Sequence, residues 1–210
     1  MKKSVLTLGL ALVCGLIFTG FGLNKAESKK AEIAGISKTI VIDAGHGGRD
    51  TGAVFDGKRE SDIMKNIASK IYQLNQHNHI KIILLRDTDE FITINDRVSR
   101  INEINPDFLI SLHTQISRDT NLNGINAFIS QDNNFYTKSN ELASILMEKV
   151  SGENLNKGKI CATNSILIRE VECPAVMIEI GFLSNATDRN YISSEKGQTE
   201  IAKRILEAIK

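Results

Sequence analysis

The stretch Thr39–Val54, TIVIDAGHGGRDTGAV, decides how this chain is read. Thr39–Asp43 is an apolar run bounded by polar and glycine-rich sequence, which predicts a buried strand. Gly45–Val54 is too rich in glycine for regular structure and must be a loop at the strand's end. From Glu60 the period changes. Ile63, Ile67, Ile71 and Leu74 recur at helical spacing, which predicts an amphipathic helix entered directly from the loop.

The alternation continues outward from that unit. Ile80–Arg86 returns to strand character, and Ile94–Asn102 reads as a helix that Pro106 cannot extend. Phe108–His113 (FLISLH) is another apolar strand, followed by a strand over Gly124–Ser130 and a helix over Lys138–Ser151. Ile166–Arg169 is expected to be a short strand, Ala175–Gly181 (AVMIEIG) a central one, and Thr199–Ile209 a closing helix. Apolar strands alternating with helices predict one α/β domain over residues 38–210. Its twisted, mostly parallel central sheet should carry helices on both faces.

The N-terminus reads differently. Lys2 and Lys3 precede an apolar run, Val5–Leu23, and the first acid is Glu27. Residues 1–28 therefore read as a signal peptide, with small residues Ala26 and Ser28 ahead of a cut after Ser28. The run is also long enough to serve as a membrane anchor. Residues 29–37 are a polar linker, and both readings put the domain outside the cytoplasm, in the periplasm, the wall or the medium. Cys14 lies inside the apolar run, whereas Cys161 and Cys173 could pair in an oxidising compartment only if their geometry allowed it. The charge balance of 26 Lys+Arg against 25 Asp+Glu, with no tryptophan, argues against a nucleic-acid partner.

Four residues fall where α/β folds place their ligands, at strand ends and in the loops beyond them. His46 follows the first strand, His113 ends FLISLH, Glu60 opens the first helix, and Glu179 lies near the end of AVMIEIG. Two histidines and a carboxylate are a common ligand set for catalytic zinc, which brings the pKa of bound water to about 7. A further carboxylate would then move the proton to a leaving nitrogen. Each residue also has a plainer reading. The histidines could be structural, and Glu60 could simply complement a helix dipole. Strand alternation could turn Glu179 to solvent, and the glycines around His46 could serve only to turn the chain. His77 and His79, spaced as HxH, read better as a solvated connection than as ligands.

Taken in order, the motifs resemble the zinc-dependent N-acetylmuramoyl-L-alanine amidases. The matching segments are IVIDAGHGGRDTGA at 40–53, Glu60 leading a helix, LLRDTD at 84–89, DRVSRINEINPDFLISLH at 96–113 and CPAVMIEIGFLSNATD at 173–188. The resemblance implies one zinc ion held by His46, Glu60 and His113, with Glu179 as general base and then acid. The substrate it implies is peptidoglycan or its muropeptides, cut between N-acetylmuramic acid and L-alanine. Arg97 matches a family arginine, and Gln115 stands where the family usually has asparagine, so both are candidate supporting residues. Some relatives carry a site-blocking helix between the second histidine and the late glutamate. Here that interval is filled by predicted sheet and helix, leaving no room for one. The resemblance leaves targeting to a protein partner, to the N-terminal run or to the groove itself. Two other readings stand beside it: a zinc peptidase cutting within wall stem peptides, and an inactive wall-binding or regulatory protein.

Overall fold

The computed structural model describes residues 37–210. The signal or anchor expected over 1–28, and the linker up to its last residue, lie outside the described residues. Six strands form one sheet in the order β4-β1-β5-β8-β6-β7. They are β1 (Lys38–Ala44), β4 (Ile80–Leu84), β5 (Phe108–Gln115), β6 (Ile125–Ile129), β7 (Lys157–Ala162) and β8 (Ala175–Phe182). The pairs β1–β4, β1–β5 and β5–β8 are parallel; β6 runs antiparallel to β8 and carries β7 parallel to itself. The expected mostly parallel α/β sheet is therefore what the chain adopts.

Strand side chains alternate between faces, and here the alternation separates two environments. Ile40, Ile42, Ile110, Leu112, Val176, Ile178 and Ile180 all enter one apolar core. Three helices cover it: α1 (Glu60–Leu74), α3 (Tyr136–Val150) and α6 (Glu195–Ala208). The intervening residues Val41, Leu109 and Ala175 join a smaller core beneath α2 (Ile94–Ile104) and the short α4 (Ile166–Glu170). On this second face the sheet turns polar toward the C-terminal ends of its parallel strands. Asp43 is in register with Ser111, and Ser111 with Met177; one step on, His113 is in register with Glu179. The site lies at this end.

Four local differences from the sequence reading have physical causes. Ile166–Glu170 is a helix, not a strand: its Leu167 and Ile168 are buried against the second face, and one apolar turn resembles a short strand in sequence. The strand in that region is Lys157–Ala162, a largely exposed edge with too little apolar sequence to signal burial. A hairpin, β2 (Val54–Phe55) with β3 (Lys58–Arg59), turns at Asp56-Gly57, both at positive φ, as a two-residue hairpin requires. Helix α5 (Ala186–Ser193) also went unpredicted; Asn185 caps it by accepting from the amides of Thr187 and Asp188.

Cys161 and Cys173 are both free, and burial pushes the Cys173 thiol up to about 12. His77 and His79 sit in the connection before β4, with His79 exposed, as expected of a solvated link. Among the described residues no helix is long and apolar enough to cross a membrane.

Ile178 is completely buried in the large core, on a strand flanked on both sides. Ile178→Ala should cost about 2–5 kcal/mol of folding stability, read as a lower urea midpoint with unchanged m-value.

Candidate metal centre

The hairpin and the glycine loop bring Glu60 back toward the end of β1. The first amides of α1 are met by loop carbonyls, Glu60 N–H donating to Ala53 O (2.9 Å) and Ser61 N–H to Thr51 O (3.1 Å). Glu60 is only 3% exposed. Its Oε2 accepts from the Ala53 amide at 2.9 Å, and its Oε1 from the Thr114 amide at 3.1 Å.

Two imidazoles approach the same Oε1. His113 Nδ1 lies 2.9 Å from it and His46 Nε2 3.3 Å. The rings meet edge to face, with centroids 5.1 Å apart. One donor atom from each of His46, Glu60 and His113 falls within 4.8 Å of the others, so the three could hold a metal ion. The other nitrogen of His46, Nδ1, sits 2.9 Å from Asp50 Oδ2, which turns Nε2 inward. A carboxylate behind a ligating imidazole fixes its tautomer and raises its basicity, so the donor set fits a divalent cation.

The electrostatics of the pocket show what it wants. Hydrogen bonding to Glu60 lifts His46 to about 9, against the opposing effect of burial. Burial alone would raise Glu60, but hydrogen bonds from His113 and His46 outweigh it and hold the carboxyl well below its ordinary range. Glu179 shows the opposite. Burial, with Glu60 nearby, raises it to about 7, and the attraction of His113 only partly offsets this.

Beside His46 and His113 a groove of about 290 Å³ opens between α2 and α4. His46, Asp50 and His113 line it together with Phe91, Ile94, Ser165 and Leu167. Helix α4 therefore borders the groove. Arg97 is buried beneath it, paired with Asp43 and donating to the carbonyl of His46 at 2.6 Å. Gln115 ends β5 with a buried Nε2 that has no hydrogen-bond partner among the described residues. Asp50 and Arg86 carry contacts the sequence reading missed. The only signal for Asp50 was an acid four residues beyond His46.

The glycines do more than turn the loop. Gly52 has φ +64, and a Cβ there would stand 2.6 Å from both Glu60 Oε2 and His46 Cδ2.

Residues 40–210 match the family model described as N-acetylmuramoyl-L-alanine amidase. The chain is similar to the sporulation-specific N-acetylmuramoyl-L-alanine amidase of Bacillus subtilis, 29% identical over 158 residues, covering 74% of this chain and 60% of that protein. The solved catalytic domain of CwlV, an N-acetylmuramoyl-L-alanine amidase from Bacillus (Paenibacillus) polymyxa, is 29% identical with a TM-score of 0.75; the match covers 82% of this chain and 96% of that one. The CwlD amidase of Clostridioides difficile, solved in complex with the GerS lipoprotein, is 27% identical with a TM-score of 0.74 over 82% of this chain and 96% of that one.

Two outcomes test the centre. A proton and a metal compete for His46 Nε2, and the metal-free imidazole keeps its proton to about pH 9. Zinc affinity should therefore climb about tenfold per pH unit through neutrality and level off above that value, with proton release seen calorimetrically in buffers of different ionisation enthalpy. Gly52→Ala should lose the metal, by elemental analysis, because its methyl needs space that Glu60 and His46 occupy.

Proposed function

This chain belongs to the N-acetylmuramoyl-L-alanine amidase family, and we propose that it hydrolyses the amide joining the lactyl group of N-acetylmuramic acid to L-alanine in peptidoglycan. The observation that carries this reading is the convergence of His46 Nε2, His113 Nδ1 and Glu60 Oε1, with both histidines lining a groove. We assign these three atoms to a single zinc ion. Zinc bound there supplies Lewis-acid polarisation of a carbonyl and brings the pKa of water to about 7.

The chain's own groups do the rest. Glu60, held ionised, supplies the negative charge that matches the cation, and Asp50 keeps His46 turned toward it. Glu179 projects from β8 on the face that carries His113, its strand neighbour in register. In the metal-free site burial raises its pKa to about 7. Such a group takes a proton from the attacking water and returns it to the departing nitrogen. The water's oxygen bonds to the lactyl carbonyl carbon and the C–N bond breaks. One product carries the new carboxylate on the muramic acid; the other is a peptide with a free α-amine on L-alanine.

The assignment puts the domain outside the cytoplasm, in keeping with the signal or anchor read over residues 1–28. A targeting partner, or anchoring through that run, belongs to the same proposal. Support for a partner comes from the CwlD structure, which contains a lipoprotein.

Glu179→Gln should bind zinc as the native chain does and lose about 10²–10⁴ in turnover. Normal turnover in that variant would overturn the role of Glu179. Mass spectrometry of digested wall should find peptides beginning at L-alanine. Cuts only between stem-peptide residues would mark a peptidase, and muropeptide binding without any cleavage a wall-binding protein.

A further inference from the structure

Arg86 is 2% exposed, yet none of its hydrogen bonds among the described residues goes to a carboxylate. All go to backbone carbonyls. Nε donates to Ala44 O (2.8 Å), Nη1 to Thr88 O (3.1 Å), and Nη2 to both Gly45 O (2.8 Å) and Ser61 O (3.0 Å). A buried guanidinium is costly, and neutral carbonyls repay that cost less fully than a carboxylate would. The residue is better explained by what it joins than by what it stabilises. Ala44 and Gly45 lead directly into His46, while Ser61 follows Glu60 at the start of α1.

The loop is shaped around this side chain. A Cβ on Gly47, which has φ +125, would lie 2.2 Å from Glu90 O, 3.0 Å from Arg86 Nε and 3.2 Å from its Cδ, so the loop closes on both the Glu90 carbonyl and this side chain. His46 has φ 59, a left-handed conformation that a non-glycine residue holds only when its surroundings fix it. Arg97 holds the other side of the same turn, donating to Ala44 O (3.1 Å) and to His46 O. Ala44 O thus accepts from both arginines, and only Arg86 reaches across to α1.

We propose that Arg86 is a positioning residue for the metal centre, tying the loop that carries His46 to the helix start that carries Glu60 so that the two ligands are held at one spacing. The inference rests on the zinc reading above. A lysine retains the charge but is a point donor rather than a planar fork, so it cannot span Ala44, Gly45 and Ser61 together.

The test is zinc affinity of the purified chain, measured by competition with a chromogenic chelator, alongside melting temperature in the metal-free state. Arg86→Lys should weaken zinc binding about 10–100-fold, the usual consequence of losing support behind a ligand. Turnover should return as zinc is raised to saturation. Arg86→Met should weaken binding at least as much, and Arg86→Lys keeps the test in hand if the methionine variant does not fold. Leu146→Ala is the control. It opens the large core away from the loop, lowering the melting temperature without changing zinc affinity. Unchanged zinc affinity in Arg86→Lys would overturn the proposal. So would an equal loss in Leu146→Ala at matched destabilisation, which would make the effect one of stability alone. Native chain that takes up no zinc would overturn the zinc reading itself, and this inference with it.

Discussion

The site is organised around one oxygen. Glu60 Oε1 is buried, accepts the Thr114 amide and stands within reach of both imidazoles. A carboxylate removed from water is tolerated only where positive charge or several donors meet it. Without metal, the charge comes from a proton that stabilises His46 and persists to about pH 9. A divalent cation meets the same demand with more charge and displaces that proton. The loop, hairpin and helix start together keep Oε1 where both histidines reach it.

The scaffold can hold such a site because the sheet divides its duties by residue parity. Even-numbered positions of β1, β5 and β8 fill the large core under three helices; odd-numbered positions face α2 and α4. That second face is covered by less helix, so its far end need not be apolar. Asp43, Ser111, His113 and Glu179 all lie on it, and their strands carry the polar groups without interrupting the larger core. Asp43 is balanced by Arg97 and by the hydroxyl of Ser111, which donates to it at 2.7 Å.

This parity also explains which features could be read from sequence. TIVID, FLISLH and AVMIEIG are strongly apolar because their strands are covered, and their order already indicates an α/β sheet. The edge strand Lys157–Ala162 has no such signature, and one buried apolar turn at Ile166–Glu170 looks like a strand to any pattern based on hydrophobicity. His46, Glu60 and His113 were legible as donor types at element ends. Their convergence was implied by the family resemblance but not by donor type or spacing, because it depends on the Asp56-Gly57 hairpin returning the chain to β1. Asp50 and Arg86 were less legible still. Their roles lie in backbone carbonyls and a second imidazole nitrogen, which only the path of the loop brings within range.

Glu60 and Glu179 show why position, and not residue type, sets chemistry in this pocket. Both are carboxylates, and burial pushes both upward. Glu60 has two imidazoles and two backbone amides on its oxygens, which overcome burial and keep it ionised. Glu179 gains the attraction of His113 but also the repulsion of Glu60, and burial prevails. Two acids in one site are thereby driven apart, one fixed as an anion suited to holding a cation and one poised near neutrality suited to moving a proton. The negative charge on Glu60 is itself one of the causes that raise Glu179. Removing the charge of Glu60 would also remove a repulsion that helps to raise Glu179, so the proton affinities of the two acids are coupled.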